Sequence, residues 1–372
     1  MTRDERFMYE ALALARQAAD AGEAPIGCVV TLEDRIVGRG RNCRETGKTA
    51  LGHAELIAID EACRILGGWR LWQCRIYVTL EPCSHYGRTG PCAEAVVKAG
   101  LKRVVIAMGD PNPKVAGKGI AILERAGIEV RCGVLEDEAR KLNEVFLKWI
   151  ATKLPYVVLK TAMSLDGKIA TYTGKSQWIT GEAARRRVHE YRDIYDGIMV
   201  GIGTVLADNP SLTARLPDGQ GKNPVRIVVD SKARTPLDAA LVTDGAALTI
   251  IAVTAKAPQE RVQALKDKGV AIMVAGDGEQ VDMDLLMRKL GEMEICSVFV
   301  EGGGQVNFSL LRAGLVDKVH AFIAPKLIGG REALTPVEGE GFAELTEAVE
   351  LEHTTVETIG QDILLTGYVK RR

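Results

Sequence analysis

Apolar residues at Met8, Leu12, Leu14, Ala15 and Ala18 recur at helical spacing and stop at Gly22, which predicts a first helix over about residues 4–21. Two β-rich runs follow, 26–31 and 35–40, joined across Leu32-Glu33-Asp34 as a hairpin. After a polar loop, residues 53–66 read as a helix with Leu56, Ile57, Ala58 and Ile59 packing around it. Strand and helix then alternate: strands at 75–80, 103–108 and 128–132, helices at 92–99, 120–126 and 136–149. Such alternation predicts an α/β sandwich on a largely parallel sheet. Leu154-Pro155 breaks the last helix, and the pattern restarts with YVVLK, GIMVG, PVRIVVD, LTIIAV, VAIMVA, CSVFVEGGG and a final strand near DILLTGYV. We place a boundary at about residues 150–155, dividing the chain into domains of residues 1–150 and 151–372.

The length of 372 residues suits two separate cores, and 47% apolar with 26% charged residues is an ordinary globular composition. Forty-eight basic against forty-nine acidic residues leave a net charge of -1, which argues against nucleic acid or an anionic membrane as a partner held by general electrostatics. No apolar run is long enough to span a bilayer, and the first residues carry acids and helical periodicity instead of an apolar export core. The expectation is a cytoplasmic protein. In that reducing setting the eight cysteines are thiols, seven of them within the first 132 residues.

Four residues of the first half stand out. His53-Ala54-Glu55 opens a helix, and Pro82-Cys83 and Pro91-Cys92 follow a buried strand. A zinc ion that activates water takes three N/S ligands and keeps one position open, which one histidine and two thiolates provide. Glu55 then stands where a non-ligating carboxylate shuttles protons from water to a leaving amine. The combination matches the H-x-E, P-C and second-cysteine signature of zinc deaminases, in which hydroxide is available at neutral pH. Cys28, Cys43, Cys63, Cys74, Cys132 and Cys296 read as small buried hydrophobes. Eight residues separate Cys83 from Cys92, more than the C-x-x-C of simple nucleobase deaminases. The insert is expected to line the pocket, with His85, Arg88 and Thr89 facing an anionic or hydroxylated group or forming a solvated loop.

In the second half, FVEGGGQVNFSLL is a strand, a glycine cluster and a helix, an arrangement that admits a phosphate or simply makes a turn. VVDSKAR leaves a strand with a hydroxyl and two cations, suited to the 2′-phosphate of NADP or to a solvated strand end.

EPCSHYGRTGPC, DPNPKVAGKG and NEVFLKW closely resemble the deaminase half of the bifunctional riboflavin-biosynthesis deaminase/reductase family. LKTAMSLDGKIAT, SQWIT, GIGTVLADNPSLTARLP, VRIVVDS, VEGGG and APKLIGG resemble its reductase half. The resemblance implies a cytidine-deaminase-like α/β/α domain followed by a dihydrofolate-reductase-like α/β domain, with Zn2+ and NADPH as cofactors. It implies removal of the 2-amino group of 2,5-diamino-6-ribosylamino-4(3H)-pyrimidinone 5′-phosphate, NADPH reduction of the ribosyl group to ribityl, and a homodimer through the reductase domains. Carried over by position, the metal ligands are His53, Cys83 and Cys92, and Glu55 is catalytic. Ala162, Trp178, Thr204, Asp208, Ser231, Gly302, Gly303, Gly304, Gln305, Val306, Asn307 and Phe308 fall on cofactor positions. Ser176, Arg192, Leu212, Arg215 and Glu301 fall on substrate positions. Arg192 and Arg215 read as a clamp on a substrate phosphate, or as ordinary surface arginines. Asp208 reads as a proton-handling group or a turn cap, and Lys160 is left without a role. Residues 22–80, with GEAPIGCVV, GRNCRET and HAELIAIDEACRILGGWRL, are locally more similar to a bacterial tRNA adenosine deaminase. Glu23 there replaces an expected asparagine, and Asn42 sits where that family positions its nucleoside. The alternative is therefore a tRNA-type nucleobase deaminase fused to a reductase.

Overall fold

The computed structural model describes residues 1–371 apart from 87–89, 113–115, 218 and 220. The chain forms two compact units, Met1–Thr152 and Lys153–Arg372.

The first unit runs α1 (Arg3–Asp20), β1 (Gly27–Leu32), β2 (Arg35–Arg41), α2 (Ala54–Leu66), β3 (Cys74–Leu80), α3 (Cys92–Ala99), β4 (Arg103–Met108), α4 (Lys118–Arg125), β5 (Glu129–Cys132), α5 (Glu136–Leu142) and α6 (Glu144–Thr152). Its sheet has the order β2-β1-β3-β4-β5. Strand alternation sends Ile76 and Val78 to one face, where they pack with Ala54, Ala58 and Ala62 of α2, Val96 of α3 and Leu123 of α4. Tyr77 points to the other face, against Phe7, Met8, Ala11 and Leu12 of α1 and Ala139 of α5. The result is three layers, α/β/α. The expectation of a largely parallel sheet is corrected: β1 is antiparallel to both β2 and β3, and only β3-β4-β5 run parallel. The single helix expected over 136–149 is also two. Asn143 interrupts it, with Nδ2 donating to Ala139 O (3.1 Å) and Pro25 O (3.2 Å), the local competition that short amides offer a helix backbone.

The second unit runs β6 (Tyr156–Ser164), α7 (Glu182–Ile194), β7 (Gly197–Gly201), α8 (Ile202–Asp208), β8 (Val225–Val229), α9 (Ala240–Thr243), β9 (Thr249–Val253), α10 (Gln259–Asp267), β10 (Ala271–Val274), α11 (Met283–Glu292), β11 (Ser297–Gly302), α12 (Gly304–Arg312), β12 (Lys318–Ala324), β13 (Leu351–Ile359) and β14 (Asp362–Val369). Its nine strands are ordered β10-β9-β8-β7-β11-β6-β12-β14-β13, parallel as far as β12 and antiparallel beyond. Strands β12 and β13 lie outside the expected set. β13 is an exposed edge whose LEHTTVETI shows no clean apolar alternation. Chain order switches direction between β7, β11 and β6, and the carboxyl ends of such strands open onto a crevice. No helix among the described residues is long and apolar enough to cross a membrane.

Candidate active sites

In the first unit the parallel strands and two helix N-termini meet at one point. His53 caps α2, Cys83 follows β3 by three residues, and Cys92 is the first residue of α3. One ligand atom from each lies within 4.8 Å of the others. His53 Nδ1 is 3.4 Å from Cys92 Sγ, and the Cys92 N–H donates to Cys83 Sγ at 3.2 Å. Bonds of about 2.3 Å to sulfur and 2.0–2.1 Å to nitrogen around a tetrahedral zinc would put such donors about 3.4–3.8 Å apart, so the donor set fits that ion. Hydrogen bonds from Cys92, and then from His53, hold the Cys83 thiol down at about 4. The same contact with Cys83 pushes Cys92 up and raises His53. These three groups thus share protons in the arrangement a divalent cation takes over. Glu55, in the first turn of α2, is buried, and burial pushes its carboxyl up to about 7.

Two buried acids that sequence reasoning gave no chemical role hold backbone near these residues in chain order. Glu81, 3% exposed, accepts from the N–H groups of Asp110 (3.3 Å), Gly117 (3.0 Å), Gly119 (2.9 Å) and Ile120 (3.3 Å), tying Asp110 and the start of α4 to the strand end before Cys83. Glu23 accepts from Arg44 N–H (3.1 Å), Thr46 N–H (2.7 Å) and the Thr46 hydroxyl (2.8 Å), and lies 3.5 Å from Asn42 Nδ2. It thereby braces the loop that precedes His53, and these hydrogen bonds outweigh burial to lower its pKa. His85 is exposed; Arg88 and Thr89 lie outside the described residues.

In the second unit Glu301, near the end of β11, is half-buried against Arg192 of α7, with Arg192 Nε to Oε1 at 2.5 Å and Nη2 to Oε2 at 3.0 Å, and with Lys160 Nζ of β6 at 3.6 Å. Burial alone would raise its pKa, but Arg192 and then Lys160 bring it to about 2, so the carboxylate is ionised. The Arg192 fork is engaged by Glu301, and its Nη1 donates to Thr213 O at 3.0 Å. Arg215 is exposed. Leu212 is 3% exposed in the core, and Val306, Asn307 and Phe308 are likewise buried, so these four have only backbone to offer a ligand. Asn307 Nδ2 donates to Pro336 O (2.7 Å), and Phe308 packs on Phe342.

The glycine turn before α12 is open at its first position. Gly302 (φ 120°) has free space where a Cβ would sit, and a Cβ on Gly303 (φ 72°) would lie 3.8 Å from Thr204 Oγ1. The absence of side chains thus leaves room at Gly302 and brings the Gly303 backbone beside the Thr204 hydroxyl. Ser231 Oγ accepts from Val281 N–H at 3.1 Å. Ser176 Oγ lies 3.4 Å from Asp208 Oδ1 beside an open cleft of about 270 Å3, also lined by Gly174, Lys175 and Gln177. Ala162 is half-buried on β6 and Gln305 is exposed in the first turn of α12. Trp178 is exposed with the Arg185 guanidinium 4.5 Å over its ring. Lys326, a residue the motif reading passed over, donates to Trp178 O (3.0 Å) and Ile179 O (2.7 Å) and so fixes that segment.

A three-layer fold with an H-x-E helix and two thiols at its strand ends, joined to a nine-stranded unit with a nucleotide-type turn, defines the class: a zinc deaminase of the cytidine-deaminase type fused to a dihydrofolate-reductase-like reductase. Residues 1–108 match the cytidine and deoxycytidylate deaminase zinc-binding region, and residues 155–365 match the RibD C-terminal domain. The riboflavin biosynthesis protein RibD of Actinobacillus pleuropneumoniae is 44% identical over 97% of this chain and 94% of its own, and that of Bacillus amyloliquefaciens is 45% identical over 99% and 96%. Among solved structures, Acinetobacter baumannii RibD superposes with a TM-score of 0.83 at 36% identity, covering 99% of each chain. A Thermotoga maritima diaminohydroxyphosphoribosylaminopyrimidine deaminase/5-amino-6-(5-phosphoribosylamino)uracil reductase does so with 0.82 at 34%, again covering 99% of each. The chain belongs to the RibD family. It is a bifunctional enzyme of riboflavin biosynthesis, a zinc-dependent deaminase and an NADPH-dependent reductase in one chain.

Proposed function

We propose that residues 1–150 remove the 2-amino group of 2,5-diamino-6-ribosylamino-4(3H)-pyrimidinone 5′-phosphate and that residues 151–372 reduce the ribosyl group of the product to ribityl. The observation that carries the first step is the convergence of His53, Cys83 and Cys92 with Glu55 buried beside them. In this reading those three residues hold zinc, which supplies Lewis-acid activation of the attacking water. Glu55 takes a proton from the water and delivers it to the departing amine, so that one water is consumed and one ammonia released. Glu81 holds Asp110, Gly117 and Gly119 at the strand end that precedes Cys83.

In the second step NADPH would supply a hydride to C1′ of the sugar as the C1′–O4′ ring bond opens, the freed O4′ taking a proton from solvent. The protein binds and orients. Gly302, Gly303 and Gly304 offer backbone N–H groups at the start of α12, with Thr204 beside them, Gln305 in the first turn, and Val306, Asn307 and Phe308 contributing main chain only. Ala162, Trp178, Asp208 and Ser231 complete the cofactor's surroundings. Ser176, the Leu212 backbone and Arg215 meet the substrate, Arg215 at its phosphate. Glu301, held ionised by Arg192, accepts from sugar hydroxyls. We infer further that the enzyme works in the cytoplasm as a homodimer paired through the reductase units, without a nucleic-acid partner. Sedimentation should then give twice the 40.2 kDa chain mass.

Purified protein fed the diaminopyrimidine should yield the ribitylamino product by mass spectrometry when NADPH is present and stop at the deaminated ribosyl compound when it is not. Glu55→Gln should cut ammonia release by roughly 10²–10⁴-fold at unchanged zinc content. Ammonia release at the parent rate would end the assignment.

A further inference from the structure

We infer that His189 is a positioning residue of the reductase: its imidazole ties the segment that carries Arg215 to the helix that carries Arg192, and so sets the arginine that meets the substrate phosphate. The inference rests on the phosphate role proposed above for Arg215.

His189 and Arg192 are three residues apart on α7 and therefore share a face. His189 Nδ1 lies 3.2 Å from Thr213 O and 3.3 Å from Arg215 N. A bare Nδ1 accepts from the Arg215 N–H, and a protonated one donates to Thr213 O, so either tautomer pins the same three residues. Arg192 grips the same carbonyl from the next turn, donating from Nη1 to Thr213 O at 3.0 Å. The segment needs such anchors. Leu212, immediately before it, is buried with φ 53°, a left-handed backbone that is costly for a branched side chain and persists only where its surroundings impose it. Arg226 Nη1 donates to Ser211 O (3.2 Å) on one side, and Ala214 N–H donates to Asn223 Oδ1 (3.0 Å) on the other. His189 is the anchor nearest the Arg215 main chain.

The charge around it has the sign the ligand needs. Lys160 and Arg192 pair with one carboxylate, Glu301, and Arg215 is a third cation acting on the same imidazole. Two positive charges are left over, and a phosphate monoester of about -1.5 to -2 balances them. Burial, with Arg192 and Arg215, brings His189 down to about 4, so the ring serves as a neutral hydrogen-bonding joint and adds no third surplus charge.

The test uses the full chain with His189→Ala, His189→Asn and Arg215→Ala, assayed in the reductase step on the phosphorylated substrate and on its dephosphorylated nucleoside, with NADPH affinity followed by fluorescence titration. His189→Ala should raise KM for the phosphorylated substrate about 10-fold, a factor worth about 1.4 kcal/mol, while kcat, NADPH affinity and the nucleoside's KM stay at parent values. His189→Asn, whose amide reaches the Nδ1 position, should recover most of the loss. Equal losses on both substrates, a fall in kcat at constant KM, weakened NADPH binding, or asparagine as defective as alanine would each overturn the inference. Arg215→Ala separates the two levels. If it fails to discriminate the phosphorylated substrate from the nucleoside, the phosphate role falls and the inference with it; if it discriminates and His189→Ala does not, only the inference falls.

Discussion

Glu81, 3% exposed, gathers four backbone N–H groups onto its two oxygens. Removing this acceptor strands the Gly119 N–H, the buried donor of the four, at about 1–3 kcal/mol for a buried group left unmatched. Glu81→Ala should therefore lower the stability of the first unit by about 1–3 kcal/mol in urea unfolding; no measurable loss would mean that these N–H groups find other acceptors. His320 is a buried base kept neutral. It stacks on Tyr191 at 4.6 Å and bonds Thr366 Oγ1 at 2.9 Å, and burial, then Lys318 and Arg187, hold it at about 3 against an ordinary 6.5. Between those values the unfolded chain binds the proton and the folded one does not, so stability falls as pH drops below 6.5, by up to about 1.4 kcal/mol per pH unit for this group. His320→Gln should flatten that slope between pH 6 and 4, as read from urea midpoints at stepped pH. An unaltered slope would show that other groups set the acid limit. The motif residues His53, Glu55, Cys83 and Cys92 were visible in the sequence because their chemistry is rare in combination. Glu81 and Lys326 had no such signal, since a single acid or lysine acquires its meaning only from the backbone groups that surround it.

Helix α2 delivers His53 and Glu55, and its seat is set by what β2 lacks. A Cβ on Gly40 would lie 2.0 Å from Ala54 O, and one on Gly38 would lie 2.1 Å from Ala58 O, so glycine at these two positions lets helix backbone rest directly on strand backbone. Gly40→Ala should push the first turn of α2 away, costing about 1–3 kcal/mol and lowering zinc content measured by metal analysis. Full zinc occupancy at parent stability would show that the helix can shift without disturbing its ligand. Elements with a strong apolar period were legible: the strands of RVVIAM and GIMVG and the helix beginning at Cys92 lie where the pattern places them. The break at Asn143 was not, because the residue is compatible with a helix until Pro25 O is brought within its reach. Neither was β13, whose exposed edge carries polar residues on both faces.

At the scale of the whole molecule, each unit has its own core, and each chemistry has its own residues, so the two activities should separate cleanly. Dialysis against a chelator should abolish ammonia release, restored by added Zn2+, while NADPH oxidation with already deaminated substrate continues. Loss of both activities together would mean that the reductase depends on the metal. The sequence by itself determined the two-part α/β architecture and the kind of chemistry in each part, because apolar period and ligand type are properties of the local chain. Tertiary structure alone decided which side chains are available to that chemistry. It turned Arg192 onto Glu301, sank Leu212, Val306, Asn307 and Phe308 into the core, and gathered scattered N–H groups around Glu81. Burial and partnership depend on residues far away in the sequence, and no local pattern carries them.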